Sequence, residues 1–434
     1  MRILTNLLMV VLIAVAIFAL IVLPWPALLA IVVLLALWMA FTRGGRQAWS
    51  VTKVGVATIP LRLGSSSVIV IGIAGVVGVL VALLAMAEGF RQTLQQTGGT
   101  DTAIIMRGGA TAELSSGISR DDAVLVQQLP GILKDAEGKP IASPELVVVA
   151  NIPKKGTNTD ANVEIRGVGE QAFALRPNVK VVSGRAFSPG LRELIVGKGA
   201  LAQFSGLEPG STINLGNQQW TITGVFESGD AHESELWGDV ETVSATYRRQ
   251  GYQSVTVRLT SPEALDELKA GIASDPRLKV DAKTTLDYYS AQSENLTKVI
   301  RVMGIVIGVI MGIGAIFGAL NTMYAAVATR AREIATLRAI GFRGVPVVVS
   351  VLLETMLLAI AGGVLGAAVA WLIFNNYTVS TLGANFSQVV FAFKVSSALV
   401  WSGLKWALAI GFIGGLFPAL RAARLPVTAA LREL

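Results

Sequence analysis

The chain has 434 residues, of which 53% are hydrophobic and only 15% are charged, and its formal net charge is +7. The mean hydropathy is +0.61. This composition excludes an ordinary soluble protein and indicates an integral membrane protein, because several stretches reach the ~20 apolar residues that a membrane-spanning helix needs. Cysteine is absent, which excludes disulfides, thiolate metal sites and a cysteine nucleophile.

The charges are divided unevenly along the chain. Residues 89–297 carry 20 basic and 25 acidic residues, whereas the apolar remainder carries 16 basic residues and four acids, Glu88, Glu333, Glu354 and Glu433. Nucleic-acid binding is disfavoured because the polar part is acidic. Basic residues collect on the cytoplasmic side of a membrane, so we expect a multi-pass membrane protein with both termini in the cytoplasm.

Residues 1–41 are predicted to form a transmembrane hairpin. The stretch 7–41 has no charged residue, and as one helix it would be longer than the hydrocarbon core of about 30 Å. Pro24 and Pro26 interrupt it, so spans at 6–23 and 27–41 are expected. A signal peptide is the alternative, disfavoured because no small-residue cleavage site precedes a polar start.

Residues 42–65 mix the bases Arg43, Arg46, Lys53 and Arg62 with apolar side chains. This pattern predicts a helix lying on the cytoplasmic face of the membrane. Pro60 is expected to bend the chain into a span at 66–88.

The stretch 89–297 is predicted to be an α+β domain of two lobes outside the membrane. Its two ends each read as a β-α-β unit and together form one lobe, with strands at 101–107, 147–150, 254–259 and from 279, and helices at 119–129 and 262–273. The middle, about 155–250, reads as short strands with glycine-rich turns, a β-rich lobe inserted into the first. A helix at 286–298 is expected to continue into the next span.

No motif in the chain indicates catalysis. The sequence around Gly197-Lys198-Gly199 lacks the hydroxyl residue and the loop of a phosphate-binding P-loop. His232 is the only histidine, which excludes a histidine-based triad elsewhere. Its acidic neighbours allow a metal site, but a solvated loop is the favoured interpretation. Paired-carboxylate or serine hydrolysis stays open, although no spacing singles out a site. We therefore predict no catalytic residue, no metal and no cofactor in this chain.

Residues 298–434 are predicted to hold three spans, at 300–327, 347–374 and 396–418, which brings the total to six. The loop 375–395 is expected outside. Lys405, between two tryptophans, is expected to reach the outer interface. Glu354 lies about two turns inside its span, and we expect it to pair with a base near Arg338 or with a neighbouring subunit.

Glycines recur at short spacings in these spans, and small residues four apart let helices approach closely in lipid. Two interpretations stay open, packing within one chain and a dimer seam. The glycines selected for this role are Gly304, Gly308, Gly312, Gly362 and Gly366, with Gly314 and Gly318 nearby.

The segment 329–343 joins two spans on the expected inner side. On a helix, Ile334, Leu337 and Ile340–Gly341 share a stripe with arginines on its flanks. One interpretation is an interfacial helix that binds anionic lipid. The other is a coupling helix docked in a groove of a cytoplasmic ATPase. Its predicted contact residues are Arg330, Arg332, Glu333, Ile334, Leu337, Arg338, Ile340, Gly341 and Arg343.

These motifs resemble a known family. Arg332-Glu333-Ile334-x-x-Leu337-Arg338-Ala339-Ile340-Gly341, followed by Leu353-Glu354-x-x-Leu357, is similar to the signature of the FtsX-like/MacB-like permeases of type VII ABC transporters. The ending Pro418-Ala419-x-Arg421-Ala422-Ala423-Arg424-Leu425-Pro426 is similar too. In the polar part, Gly184-Arg185-Ala186-Phe187 and Gly224-Val225-Phe226-Glu227 resemble a MacB-type periplasmic core.

The resemblance implies a dimer in the bacterial inner membrane, four core spans, and a coupling helix that engages an ATPase. We expect a homodimer, and a heterodimer with a related permease is the alternative. The N-terminal hairpin is an addition to the family pattern. Because the chain shows no ATPase motif, ATP and Mg are expected on a separate cytoplasmic ABC ATPase, and this chain is expected not to be an enzyme. Further expected partners are membrane lipids, a periplasmic adaptor and an outer-membrane channel.

The favoured functional hypothesis is a transport permease that uses mechanotransmission. ATP hydrolysis in the partner would change the shape of the outer domain, which exports or extracts a substrate from the periplasm or the outer leaflet. The alternative is an FtsX-like regulatory transducer that activates a cell-wall hydrolase. Lipoprotein extraction is a variant of the first hypothesis, and the substrate is not predicted.

Overall fold

The structure, a computed structural model, describes residues 20–383 and 387–426. It contains two compact units. The membrane unit comprises the chain up to Met86, Ile300–Asn375 and the chain from Lys394, and the outer unit comprises Ala87–Val299 and Asn376–Phe393. Each unit is therefore assembled from separate stretches of sequence.

The described helices and strands follow in chain order. The helices are α1 (Trp25–Phe41), α2 (Arg43–Ala57), α3 (Leu63–Thr97), α4 (Arg120–Gln127), α5 (Ala172–Leu175), α6 (Lys198–Gln203), α7 (Val240–Thr246), α8 (Ala264–Ser274), α9 (Thr285–Thr329), α10 (Ala331–Ala339), α11 (Gly344–Phe374) and α12 (Ser397–Ala423). The strands are β1 (Thr102–Arg107), β2 (Ala142–Pro153), β3 (Asp160–Val168), β4 (Lys180–Gly184), β5 (Glu193–Gly197), β6 (Thr212–Leu215), β7 (Gln218–Glu227), β8 (Glu235–Asp239), β9 (Ser254–Arg258), β10 (Val280–Thr284), β11 (Thr378–Leu382) and β12 (Gln388–Ala392).

Four described helices are long and apolar enough to cross a membrane: α3 with the 3₁₀ turn Ile59–Arg62 before it, α9, α11 and α12. Helices α1 and α2 pass the same test only together, and they are bent by 101°. The described part of the chain thus supports four to five of the six predicted spans. The predicted span 6–23 lies outside it, apart from helical residues 20–22.

The predicted break in the N-terminal hairpin is confirmed, because Pro24 is extended and precedes α1. Lys405 was expected to reach the outer interface, and this stays a prediction. The Nζ of Lys405 donates to the backbone oxygen of Ile21, at 3.2 Å. Carbonyls in the last turn of a helix lack an intrahelical donor, and the helix that contains Ile21 stops just before Pro24. The ammonium supplies that donor.

Close backbone packing holds α3 against two other helices. A Cβ on Gly366 would lie 2.4 Å from the oxygen of Ala74, and one on Gly362 would lie 2.7 Å from that of Val70. Gly304 and Gly308 of α9 face leucine side chains of α3, and Gly312 faces Ile410 of α12. The five selected glycines therefore pack within the chain. Gly314 and Gly318 have no neighbour within 4 Å, so the dimer-seam interpretation stays open only for them.

The outer unit is built on one mixed sheet with the order β10-β1-β9-β2-β3-β8-β5-β7-β4, and β6 pairs with β7. The first four strands with α4 and α8 form the predicted discontinuous lobe, in the β-α-β-β-α-β arrangement called ferredoxin-like. Ser119 caps α4 as expected by accepting from the amide of Asp122. The remaining strands form the inserted lobe. The long strand β2 pairs with β9 through its first part and with β3 through its second, so one sheet continues through both lobes.

The predicted loop 375–395 is instead a β-hairpin, β11–β12, and it belongs to the outer unit. The amide of Val390 donates to Ser234 Oγ at 2.8 Å, and the Phe391 ring meets the Phe90 ring edge-on at 5.4 Å. Phe90 lies beyond the predicted end of the span 66–88, since α3 continues to Thr97. Apolar contacts of this kind explain why the helix does not stop at Gly89.

Candidate coupling site

Helix α10 is the short helix predicted to couple the membrane unit to an ATPase, and glycine sets its end. The amide of Gly341 donates to the oxygen of Arg338, and the amide of Phe342 donates to that of Leu337. Gly341 has a φ of +104°, a backbone conformation that glycine adopts at low cost and that commonly terminates helices. The chain then turns directly into α11.

The predicted contact residues of α10 divide into two groups. Arg332, Glu333 and Arg343 are exposed, as are Gly341 and the apolar side chain of Ile340, which is 68% exposed. Ile334 is buried within the chain, and Leu337 is half-buried. The expectation of one free apolar stripe is therefore wrong for Ile334, because its own chain already covers it. The docking role of the exposed residues stays a prediction.

Glu354 of α11 is the buried centre of an ion-pair cluster that we call the clamp, formed by Glu354, Arg330 and Arg62. Arg62 Nη2 donates to Glu354 Oε1 at 2.7 Å, and Arg330 Nη1 donates to Oε2 at 2.9 Å. The Glu354 side chain is 4% exposed. The base expected near Arg338 is thus Arg330, and Arg62, which was interpreted as part of an interfacial helix, is the second partner.

The far end of α10 is also held by a side chain. Arg338, which is half-buried, donates from Nη1 to the backbone oxygen of Leu425 at 2.6 Å. Leu425 follows α12, so α10 is tied to α11 near its start and to the segment after α12 near its end. Arg338 is therefore an internal contact, and the exposed Arg332 is the better residue for testing docking.

The outer unit contains a second buried charge cluster, centred on Arg166 of β3. Its guanidinium donates to Glu113, Glu145, Glu164 and Glu235 at 2.8 to 3.1 Å. Arg176 forms a bidentate ion pair with Glu145, with hydrogen bonds of 2.7 and 2.9 Å. We call these six residues the Arg166 cluster. None of the six side chains is more than 10% exposed.

Neighbouring groups complete the hydrogen bonding of the Arg166 cluster. Trp237 Nε1 donates to Glu235 at 2.7 Å, Ser254 Oγ donates to Glu113 at 2.7 Å, and Ser387 Oγ of the hairpin donates to Glu164 at 3.0 Å. Burial would raise the pKa of Glu145, but the charges of Arg176 and Arg166 outweigh it and hold that pKa below its usual range. Arg166 and His232 lower the pKa of Glu235 in the same way against its burial. Both carboxyls are therefore anionic at neutral pH.

A cavity of about 50 Å³ adjoins the Arg166 cluster and is lined by Glu113, Glu164, Arg166, Glu235 and residues of α9 and the hairpin. It has room for a few water molecules. His232 lies nearby and is buried, with Nδ1 3.0 Å from Asp230 Oδ1. The interpretation of His232 as part of a solvated loop is therefore wrong. The described residues contain no group of three side chains arranged to hold a metal ion.

Two family models match the chain. Residues 66–274 match the MacB-like periplasmic core domain, and residues 305–427 match the FtsX-like permease C-terminal domain. The first match covers most of the outer unit, and the second covers the later part of the membrane unit. The coupling helix α10 and the clamp residues Arg330 and Glu354 fall within the second match.

Several curated relatives are macrolide export ATP-binding/permease proteins MacB. The protein of Vibrio parahaemolyticus is 26% identical over 394 residues, which cover 84% of this chain and 56% of the relative. That of Burkholderia pseudomallei is 25% identical over 421 residues, covering 91% and 60%. The chain therefore spans somewhat more than half the length of these relatives.

Among solved structures, the periplasmic region of MacB from Actinobacillus actinomycetemcomitans is 18% identical, with a TM-score of 0.35, and covers 46% of this chain and 94% of that one. The two family matches, with the curated relatives over most of the chain, show the family to which the protein belongs. The chain is a membrane permease of the MacB-like/FtsX-like ABC transporter family, with a MacB-like periplasmic core domain and an FtsX-like permease domain.

Proposed function

We propose that this chain is the permease subunit of an ABC transporter that works by mechanotransmission. A separate cytoplasmic ATPase would bind ATP and Mg, dock on α10, and drive a change in the outer unit that exports or extracts a substrate from the periplasm or the outer leaflet of the inner membrane. The curated relatives named for macrolide export support export as the direction of transport.

The observation that carries the proposal is the form of α10. It is a nine-residue helix between two membrane-spanning helices, with charged and apolar side chains exposed on one part of its surface and ties to its own chain at both ends. A single exposed apolar side chain is common on protein surfaces, so what supports docking is the position of this helix between two spans, with Ile340 and charged residues exposed together. Rigid attachment at both ends would pass a push on α10 directly to α11 and α12.

A dimer of two such chains, or a heterodimer with a related permease, would present two α10 helices to two ATPase subunits. The apolar surface of α9 would supply the contact, since it exposes Val302, Met303, Val306, Ile310 and Phe317. A periplasmic adaptor and an outer-membrane channel would receive the substrate from the outer unit.

The test is copurification of the ATPase with the chain from its own membranes. Arg332→Glu should lower the affinity for the ATPase at least about tenfold, or about 1.4 kcal/mol, because it reverses an exposed charge of the docking surface. Arg192→Glu in the outer unit, which is also an exposed arginine, is the matched control and should bind normally. Equal binding by both variants would contradict docking on α10.

The same copurification separates the two functional hypotheses. An adaptor of the membrane-fusion type among the periplasmic partners supports transport. A cell-wall hydrolase in its place would support the regulatory transducer. The orientation of the chain in the membrane can be tested by labelling single introduced cysteines, because the chain has no cysteine of its own. Thr336→Cys on α10 should react with an impermeant maleimide from the cytoplasmic side only, and Ala136→Cys in the outer unit from the periplasmic side only.

A further inference from the structure

Helix α2 is joined to the start of α10 through one guanidinium group. Arg330 Nη1 donates to Glu354 on α11, as described, while Nη2 donates to the backbone oxygen of Gly55 at 3.2 Å and to Thr58 Oγ1. Gly55 and Thr58 form the C-terminal end of α2. The side chain of Arg330 is 15% exposed, so these bonds lie mostly out of water, where they are stronger.

The close approach of α2 depends on small residues. Its buried positions are Gly45, Ala48, Thr52 and Gly55, spaced so that they fall on one face of the helix, and α2 packs against α11. A Cβ on Gly55 would lie 3.1 Å from Glu354 Oε2 and 3.5 Å from Arg330 Nη1. A larger residue would therefore push directly on the clamp.

The remaining face of α2 is exposed. It carries Arg43, Arg46, Trp49 and Lys53, and the Lys53 ammonium lies 5.3 Å from the centre of the Trp49 ring. The helix has 15 residues and is therefore about 22 Å long. A helix of this length, fixed at one end to the clamp and along one face to α11, follows any displacement of the clamp.

We propose that α2 is a second part of the coupling element, and that Arg330 is the positioning residue that makes α2 and α10 move as one body. The inference rests on the proposed function for the source of the force. It adds a route for that force. A displacement of α10 reaches α2 through the side chain of Arg330, in addition to the backbone routes through α9 and α11. Arginine suits this role because its planar fork contacts Glu354 and the end of α2 at once.

The first experiment needs no partner. Spin labels on Ser50→Cys of α2 and Thr336→Cys of α10, both at exposed positions, report the distance between the helices in the full chain in lipid nanodiscs. The wild-type clamp should give one narrow distance. Arg330→Lys keeps every charge but lacks the fork, so the narrow distance should be lost.

Arg62→Lys is the matched control. It also keeps every charge, and it leaves the bonds of Arg330 to Glu354, Gly55 and Thr58 in place, so the narrow distance should persist. Gly55→Ala is a second test with an intact clamp sequence, and it should shift or broaden the distance because its Cβ meets two clamp residues. Unchanged distances in both Arg330→Lys and Gly55→Ala would overturn the inference, as would equal broadening in Arg62→Lys.

The second experiment uses the complex with the copurified ATPase. The α2–α10 distance in the wild type should be the same with and without ATP, whereas Arg330→Lys should make it change with ATP. A wild-type distance that changes with ATP would overturn the inference. If no ATPase binds, the proposed function fails, but the nanodisc measurement still decides whether Arg330 holds α2 and α10 together.

Discussion

The clamp and the Arg166 cluster are both buried ion-pair clusters, but their compositions are opposite. In the clamp, two arginines share one glutamate, Glu354. In the Arg166 cluster, two arginines lie among four glutamates, and serine and tryptophan side chains supply further donors. The clamp has few bonds and each joins a different segment. The Arg166 cluster has many bonds that support one another.

This difference indicates two kinds of role. Burying charges is costly unless they are paired and hydrogen-bonded, so the many bonds of the Arg166 cluster serve mainly to satisfy each other and to fix the strands of both lobes. The clamp has less redundancy, since the hydrogen bonds described between the start of α10 and the end of α2 all come from Arg330. We expect substitutions in the Arg166 cluster to affect folding and substitutions in the clamp to affect the transmission of movement.

The largest expected effect is that of Arg166→Met. Removing one partner of a buried ion pair costs about 3 to 5 kcal/mol, and here four carboxylates would lose their central partner at once. Since a domain is stable by only about 5 to 15 kcal/mol, the outer unit should not fold. Limited proteolysis and the amount of protein in the membrane measure this.

Arg185→Met is the control for that experiment. Arg185 also forms a bidentate ion pair with a glutamate, Glu193, but it lies on the surface, with 58% of its side chain exposed. Exposed pairs contribute about 1 kcal/mol or less, so this variant should resist proteolysis like the wild type. Normal folding of Arg166→Met would contradict the structural role of the cluster.

The next effect in size is that of Glu354→Gln. It removes the charge of the glutamate that Arg62 and Arg330 share, and these arginines are 19% and 15% exposed. We expect a loss of up to about 3 kcal/mol, which a thermal melt in nanodiscs would measure. Glu333→Gln should have little effect, because Glu333 is exposed and lies 3.9 Å from Arg330. Equal melting temperatures for both variants would show that the clamp does not contribute to the stability of the fold.

A third effect distinguishes the clusters by pH. The folded-state pKa values of Glu145 and Glu235 lie below the usual value of 4.5. Their contribution to stability is therefore complete above about pH 4.5 and is lost as the pH falls towards the folded-state pKa values. The protection of amides in β2 and β8 against hydrogen exchange, corrected for the intrinsic exchange rate at each pH, should fall below about pH 4.5. Corrected protection in these strands that is unchanged between neutral pH and pH 3 would contradict this.

The smallest expected effects are those of glycine substitutions in the membrane unit. Gly366→Ala should cost about 1 to 3 kcal/mol, the usual cost of overpacking, because its Cβ would lie 2.4 Å from a backbone oxygen of α3. Gly318→Ala should be neutral within one chain, since nothing lies within 4 Å. If a mass measurement on the purified protein instead showed less dimer for Gly318→Ala, this glycine would lie at the dimer interface.

The sequence predicted several elements of the discontinuous lobe well, because helix and strand periodicities there are local. Strands β1 and β9 and helix α4 lie within two residues of their predicted limits. The Arg166 cluster could not be predicted in the same way. Glu164 and Arg166 lie on the polar face of β3, which also carries Asp160 and Asn162, and a polar face on a strand is usually exposed to solvent. Only the fold shows that the end of this face with Glu164 and Arg166 is buried.

The coupling helix was predicted from its motif, but its contacts were not. Arg62 and Glu354 are 292 positions apart, and no local pattern connects them. Helix α2 likewise read as a helix bound to lipid by its bases, and its face of small residues was the overlooked indication of packing. The hairpin β11–β12 was overlooked because each strand has only five residues, although Thr378, Val379 and Thr381 of the first are β-branched.

The hairpin also sets an order for biogenesis. The outer unit needs Asn376–Phe393, which are made only after the stretch 300–375 that contains most of α9 and all of α10 and α11. At ordinary rates of synthesis this takes on the order of ten seconds. Until then Glu164 lacks the hydrogen bond from Ser387, and Ser234 lacks the hydrogen bond from the amide of Val390. The outer unit therefore stays incomplete until the chain of α10 and the later span α11 has been made.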